Sequence, residues 1–540
     1  MANRPLGAQI SHMLKARGVS TIFGIPGVHN QEMYRGIEEA GLTHVLARHE
    51  QGAGFMADGY ARATGRPGVA YVITGPGLCN IMTPMGQAYS DSVPLLVLSS
   101  CLLDTAATRG QLHQMRDQEG AAAAVCDWSE TAVTPDAAYH LIDRALGEMT
   151  IGRKRPKHIQ VPIPLLEGAA PESWPAKAAL GPRPIQPEPD WITYAAALLS
   201  EAKRPLFVFG GGAVALGYPD LGQSRPELLE RVLRKTGAAT FTTYAGRGIV
   251  PDDSPLHFGA TLARVGSADV IASADLVIAV GTTLSEVDLW RDDLGHSGRL
   301  LRVDIDDEVL SENIARQQPV RSDAEAFFAA LDAALPDRAA TGWTPQEVAD
   351  KRTAWRTEID MERPGILPVA DALRAALPDN TIIYSDMTQF AYAAKEVWPM
   401  ARPNLWHHPY GFGTLGYALP AAIGGKIGKP DQPVVAVAGD YGFQYTLQEL
   451  MVAVELELSL PIIVWDNGKL GEIEDSMVRA QIAPNAVIQK NPDFVKLAEA
   501  YGAASAAPQT LAQMADDVRS ALARQGPTLI YLDATVLTSS

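Results

Sequence analysis

Two short runs toward the C-terminal end hold the residues with the clearest chemistry. Val434–Ala438 is an apolar, strand-like run that ends in Gly439-Asp440, and Ile462–Trp465 is a second that ends in Asp466-Asn467-Gly468. Asn467 follows Asp440 by 27 residues, room for a crossover helix, so the two strands are expected side by side in a parallel sheet. Open parallel sheets bind ligands at the carboxyl ends of their strands, and Asp440 and Asn467 both fall there. A helix starting at Gly442–Phe443 would offer free N–H groups and the positive end of its dipole to an anion. A carboxylate, an amide oxygen and a phosphate are the hard oxygen donors that Mg²⁺ takes in octahedral geometry. The stretch can therefore clamp a diphosphate through a divalent ion. The competing reading is local: Asp440 as a helix N-cap and Asp466-Asn467-Gly468 as a turn.

Elements of the right kind surround these runs. Strand-like apolar segments alternate with helix-like ones along the whole chain: Val69–Thr74, Leu95–Ser99, Leu206–Phe209, Leu276–Val280, Leu300–Val303, Ile382–Ser385, then the two runs above. That alternation predicts an α/β fold of parallel sheets flanked by helices. Two Pro-bearing stretches, Glu167–Pro189 and Leu335–Glu347, read as linkers. They predict three domains: a first over 1–170, a central one over 190–335 and a third over 350–540. The first and third are compatible with a shared fold, although no sequence repeat is visible.

The chain has 540 residues, 47% of them hydrophobic and 20% charged, as in ordinary globular proteins. A formal net charge of −17 argues against nucleic acid or an anionic membrane as partner. The three cysteines, Cys79, Cys101 and Cys126, have no metal-ligand spacing, and such sparse usage fits reduced thiols in the cytoplasm. The N-terminal segment lacks the long apolar core of a signal peptide, and apolar runs such as Pro94–Leu98 are far short of a spanning helix. A soluble, cytoplasmic protein is expected.

The spacing of the Gly-Asp and the later Asn resembles the diphosphate signature of thiamine diphosphate enzymes, above all the acetolactate synthase-like decarboxylases and carboligases. Other motifs resemble the same family in the same order. "FGIPGVHN" (Phe23–Asn30), "RHEQGAGFMADGYARATG" (Arg48–Gly65), "GPGLCN" (Gly75–Asn80) and "AYSDSVPLLVLS" (Ala88–Ser99) look like its pyrimidine-binding domain. "GTLGYALPAAIG" (Gly413–Gly424) looks like the segment beneath the cofactor in its diphosphate-binding domain. Within the family, "GIPGVHNQEMYRG" and "DMTQFAYAAKEVW" are most similar to proteins grouped as 5-guanidino-2-oxopentanoate decarboxylases.

The resemblance implies the following roles. Glu50 would hydrogen-bond the cofactor's pyrimidine ring, a task that suits a partly buried carboxyl of raised pKa; otherwise it is a capping or paired residue beside Arg48 and His49. Gly75 and Asn80 lie on the same cofactor-binding surface. Leu415 would push the cofactor into a bent shape, and the Gly413 carbonyl would accept from its amino group. Gln389, with Gly439, Asp440, Tyr441, Gly442, Asn467, Leu470 and Gly471, would hold the diphosphate. Asp440, the Asn467 side chain and the Lys469 carbonyl would bind Mg²⁺. His29, His113 and Gln114 resemble pocket positions, and a neutral imidazole there could relay a proton. The small residues Gly52, Ala53, Gly54 and Ala57 fit a helix packed on another chain, so that Glu50 reaches a partner's cofactor. The minimal unit would then be a homodimer, with a homotetramer also compatible.

The chain departs from the family pattern in places. Tyr441 stands where Gly is usual, Asp466 where a first Asn is common, and Phe390 where acetolactate synthases have His. "GTTLSEVDLW" (Gly281–Trp290) lacks the Arg of the flavin-contacting pattern, so FAD is not expected. A helix is expected after Lys469, with Glu472, Ile473 and Ser476 facing the substrate. Acetolactate synthases carry bulky Met and Trp residues in this segment, so Glu472 and Ser476 imply a roomier, more acidic pocket. A first-turn Glu favoured by the helix dipole, or an ion pair with Lys469 or Arg479, would also explain Glu472. The main expectation is non-oxidative decarboxylation of a small-molecule 2-oxo acid, with a guanidino tail as the cation that Glu472 would meet. A carboligase, or a cofactor-binding subunit without turnover, are the alternatives.

Overall fold

The computed structural model describes residues 4–103, 110–175, 184–217, 226–312, 314–337 and 341–537. Parts of both linker stretches, 176–183 and 338–340, lie outside the described residues. Among the described residues three larger sheets, of six, five and six strands, are flanked by helices, and Arg4–Pro5 pairs with Ala169–Ala170 in a two-stranded antiparallel ladder. The chain divides into two compact units. One comprises Met1–Pro182, Thr381–Thr388 and His408–Ser540; the other comprises Arg183–Asn380 and Gln389–His407.

In the second unit the central sheet is parallel throughout, and its strands, counted one to five along the chain, lie in the order 2-1-3-4-5. Its strands read as continuous apolar runs because both faces are covered. Along Pro205–Phe209, Phe207 and Phe209 enter a cluster with Phe328, while Leu206 and Val208 enter another with Phe241, Phe258 and Trp355. Trp355 comes from the helix Pro345–Glu362.

The first unit holds the two six-stranded sheets, save the strand Trp406–His407. The first has strands Thr21–Gly24, Thr43–Leu46, Gly68–Val72, Leu95–Cys101, Trp128–Thr131 and Lys157–Pro162. Ile382–Ser385, Trp406–His407, Val434–Gly439, Leu460–Trp465, Ala504–Ala506 and Pro527–Leu532 form the other. Counted along the chain, both run 2-1-3-4-6-5. The shared fold of the outer domains is therefore real, though hidden in sequence.

Four helices accompany these sheets. Helix α1, Glu50–Thr64, begins where the His49 ring accepts from Gln51 N and ends at Gly65, which takes the left-handed conformation. Helix α2, Pro76–Ser90, follows Gly75 at φ 69°, with Pro76 where an N–H would go unpaired in any case. Helix α3, Ala418–Gly428, crosses α1 with backbones almost touching. A Cβ on Gly59 would come within 2.0 Å of Ala421 O, and one on Gly424 within 1.8 Å of Met56 O. Helix α4, Gly471–Arg479, follows the loop after the strand Leu460–Trp465.

Three sequence expectations need correction. The small residues of α1 are buried within the chain itself: Gly52 lies against Glu449, Gly54 against Ile81 and Pro84, and the backbone of Ala57 against Gly68. They therefore carry no argument for a partner chain. The helix after Gly439 starts at Asp440 and not at Gly442, and Asp440 is its first residue, not its N-cap. The segment between the two strands is not one crossover helix; it splits into Asp440–Tyr445, a 3₁₀ turn and Leu450–Glu455. No helix among the described residues is long and apolar enough to cross a membrane. Cys79, Cys101 and Cys126 are all unpaired.

Candidate active site

Val434–Gly439 and Leu460–Trp465 pair in parallel as neighbours, with Gly439 opposite Trp465. Asp440 and Asp466-Asn467 consequently leave adjacent strand ends, as the spacing requires. Asp440 is only 2% exposed. Burial raises its pKa above the usual carboxylate range, and Asp466 nearby adds to this, against the side-chain amide of Asn491. Asp466 is fully engaged: Oδ1 accepts from Gly468 N at 2.8 Å and Oδ2 from the Tyr531 hydroxyl at 3.0 Å. Asn467 Oδ1 accepts from Lys469 N at 3.3 Å, which curls the loop through Gly468 at φ 66°. These groups are oxygen donors of the kind Mg²⁺ takes, so the residues fit such an ion.

A second acid, Asp386, was not singled out by sequence reasoning. It follows the strand Ile382–Ser385 and is buried. Its Oδ2 accepts from Gly416 N at 2.8 Å and its Oδ1 from Met387 N at 2.9 Å. Burial pushes its pKa up to about 6, against the pull of these backbone N–H groups and those of Tyr417 and Ala418. It also explains Gly442, where a Cβ would sit 2.5 Å from Asp386 Oδ2. An acid at a strand's carboxyl end, as at Asp440, was the available signal. Tyr441 lies beside Gly442 in the short helix Asp440–Tyr445.

The segment carrying Gly413 and Leu415 is held from α2. Asp91 accepts from Tyr410 N at 3.3 Å and Gly411 N at 3.1 Å while pairing with Arg62 at 2.8 Å. Gln87 accepts from the Thr414 hydroxyl at 2.9 Å. Gly413 takes φ 66°, and Leu415 is half-buried. The Asp of "AYSDSVP" thus has a mechanical role that no periodicity revealed. Gln389 opens the helix Gln389–Val397, in the other compact unit, with Phe390 fully buried behind it.

Glu50 opens α1 and is 9% exposed. Asn80 Nδ2 donates to its Oε2 at 2.9 Å, which brings these two predicted residues together. Gly77, between Gly75 and Asn80, packs against Ile73, whose Cγ2 a Cβ there would meet at 2.9 Å. Glu449 packs against the same helix end, where Arg48 N donates to its Oε2 at 3.0 Å. His29 and His113 meet edge to face at 4.9 Å, and the Nδ1 of each is buried without a hydrogen-bond partner among the described residues. Burial, then His113, lowers the pKa of His29, so its ring is neutral at pH 7. His113 is held at φ 63°, with its carbonyl against Gly75. Gln114 Oε1 accepts from Gln111 N at 3.1 Å and closes a turn.

Beyond the loop, Leu470 caps α4 and Gly471 starts it. Glu472 is half-buried, Ile473 is 50% exposed, and Ser476 is exposed. Lys469 pairs with Glu474 in the first turn of α4.

Three sequence profiles match this chain. Residues 4–121 match the N-terminal TPP binding domain of thiamine pyrophosphate enzymes, 192–331 their central domain and 386–532 their C-terminal TPP binding domain. The chain belongs to the thiamine pyrophosphate enzyme family. It is 41% identical over 533 residues to a probable 2-ketoarginine decarboxylase of Pseudomonas aeruginosa, covering 97% of this chain and 93% of that protein. A probable acetolactate synthase large subunit of Methanocaldococcus jannaschii is 30% identical over 520 residues, 91% and 85% of the two chains. The acetolactate synthase isozyme 1 large subunit of Escherichia coli is 27% identical over 543 residues, 97% and 92% of the two.

Proposed function

We propose that this chain is a thiamine diphosphate- and Mg²⁺-dependent decarboxylase that converts 5-guanidino-2-oxopentanoate (2-ketoarginine) to 4-guanidinobutanal and carbon dioxide. The observation that carries the reading is the 41% identity, over nearly the full length of both chains, to a probable 2-ketoarginine decarboxylase. The acidic first turn of α4, with Glu472 and Glu474 directly after the Asn467–Lys469 loop, agrees with a cationic substrate.

Bound thiamine diphosphate supplies an electron sink for the bond that breaks when carbon dioxide leaves. The protein's share is placement and electrostatics. Asp440, the Asn467 side chain and the Lys469 carbonyl would hold Mg²⁺. The backbone at Tyr441 and Gly442 would take the diphosphate, and at Gly442 Asp386 leaves no room for a side chain. Gly413 and Leu415, fixed through Asp91 and Gln87, would seat the ring pair. Glu50 would hold a proton against the pyrimidine nitrogen, with Asn80 fixing the rotamer of its carboxyl. His29, neutral at pH 7 by the direction of its shift, and His113 can move a proton at Nδ1 atoms that have no hydrogen-bond partner among the described residues. A guanidinium facing Glu472 pairs with it in charge-assisted hydrogen bonds. The family resemblance implies a homodimer in the cytoplasm, with Glu50 reaching a cofactor held by the partner.

The test is incubation with thiamine diphosphate, Mg²⁺ and a panel of 2-oxo acids, scoring carbon dioxide, aldehyde and ketol. Glu472→Ala should lower kcat/KM for 5-guanidino-2-oxopentanoate ~10–100-fold and spare an uncharged 2-oxo acid of similar length, matching a loss of about 1.4–2.7 kcal/mol. An equal loss on both substrates, or a parent protein inert toward the guanidino acid, refutes the substrate. Ketol in place of aldehyde would make the chain a carboligase.

A further inference from the structure

The loop that carries the proposed metal donors is strapped by a later piece of chain. Leu470 N donates to Val487 O at 2.8 Å, Lys469 and Ile488 form an antiparallel bridge, and Gln489 N donates to Gly468 O at 3.4 Å. Each of residues 468–470 is thus tied to one of residues 487–489. The strap ends in Asn491, whose side chain leaves nothing unused. Its Nδ2 donates to Asp440 Oδ2 at 2.7 Å and to Asp466 Oδ1 at 2.8 Å, and its Oδ1 accepts from Gln444 Nε2 at 3.2 Å. Gln444 Nε2 donates also to the Asp440 carbonyl at 3.0 Å.

We infer that Asn491 is a positioning residue for the metal clamp: its amide bridges the carboxylates of Asp440 and Asp466, fixing the first and coupling it to the strap Val487–Asn491. The inference rests on the reading of Asp440 as a metal donor. Two carboxylates sharing a partly dry site repel each other. An amide with two hydrogens satisfies both at once, adds no charge, and holds Asp440 in one rotamer. A carboxylate that must find its rotamer anew on each encounter binds a metal less tightly, and partners behind metal donors are worth about 10–100-fold in affinity. The bridge also explains why Asp466 is tolerated in place of an amide. Its oxygens are occupied by Gly468, Tyr531 and Asn491, so it supports the clamp rather than competing for the ion. The strap adds a mechanical consequence: whatever seats Asp440 also seats the segment that borders α4.

The experiment titrates Mg²⁺ into protein saturated with thiamine diphosphate and follows tryptophan fluorescence, with trypsin cleavage after the exposed Lys490 as an independent reading of the strap. Asn491→Ala should weaken Mg²⁺ about 10–100-fold and speed cleavage at Lys490 whether or not Mg²⁺ is present. In the parent, Mg²⁺ with thiamine diphosphate should slow that cleavage. Asn491→Asp keeps the size but loses the donor and adds a third carboxylate. It should weaken Mg²⁺ at least as much, and it answers the question even if the Ala variant folds poorly. Parent-like Mg²⁺ affinity in both variants overturns the inference, as does parent-like affinity in Asn491→Asp alone. Asp440→Ala serves as the reference. If it too binds Mg²⁺ and thiamine diphosphate as the parent does, the clamp itself is refuted, an outcome distinct from failure of the Asn491 bridge.

Discussion

Glu449 is completely buried, yet it stands one helix end away from Glu50 and accepts from Arg48 N. Burial raises its pKa to about 7; the N–H groups of Arg48 and His49 and the charge of Arg48 pull the other way, while Glu50 adds to the rise. The ordinary value is 4.5. Between pH 4.5 and 7 the folded chain therefore holds a proton that the unfolded chain has released, so the stability from this group is fully present below about 4.5 and lost as pH rises through 7. The gap between 4.5 and about 7 is worth about 3 kcal/mol. Glu449→Gln mimics the protonated acid. Its amide oxygen can still accept from Arg48 N. At pH 5 the variant should melt close to the parent. At pH 8 it should melt several degrees higher, because about 3 kcal/mol of buried-charge penalty is gone. Paired melts at matched ionic strength isolate this group from the other titrations, such as that of Asp386, which are common to both proteins. A parent-minus-variant difference that is flat from pH 5 to 8 would refute the reasoning. A variant less stable at pH 8 would show that the carboxylate is held ionised by the helix end.

Glu50→Gln should bind thiamine diphosphate as the parent does and slow exchange of the cofactor's C2 hydrogen by at least ~10²-fold, measured by NMR; exchange at the parent rate would make Glu50 a structural residue. Gly424→Ala should lower the melting temperature even though Ala normally favours a helix over Gly by about 1 kcal/mol. The new Cβ meets the Met56 carbonyl at 1.8 Å, and backbone cannot rotate away, so overpacking of ~1–3 kcal/mol or more prevails. A rise in melting temperature would show that α1 and α3 can part freely.

Much of the scaffold could be read from periodicity. The strands Leu276–Val280 and Ile382–Ser385 have the bounds their apolar runs predict. The run from Val69 stops at Val72 because Thr74 turns its N–H to Ser100 Oγ. The short strands Trp128–Thr131 and Ala504–Ala506 are only partly buried and carry too little apolar signal to stand out. The site divides along a similar line. Asp440, Asn467 and Glu50 are marked by position next to glycines and strand ends. Asp386, Glu449, Asp91 and Asn491 are not, because their work is done across 30 to 401 residues of sequence on atoms that no local pattern names. Two of them left a trace in the glycines that make room for them: Gly442 beside Asp386 and Gly52 beside Glu449.

The matching order of the two six-stranded sheets explains why the candidate residues occur where they do. In each sheet the carboxyl ends of strands one to four lead into segments that carry candidate residues. After the first strand come His29 in one sheet and Asp386 in the other; after the second, Glu50 and the Gly413–Leu415 segment; after the third, Gly75–Asn80 and Asp440–Gly442; after the fourth, His113 and Asn467. Topology fixes the four places, and residue type alone distinguishes their chemistry. One sheet presents imidazoles and a carboxyl braced by an amide, suited to moving protons. The other presents acids, an amide and glycines at positive φ, suited to a cation and the oxyanions it gathers. Two copies of one framework, with no sequence repeat left between them, thus carry two different sets of candidate residues at equivalent places.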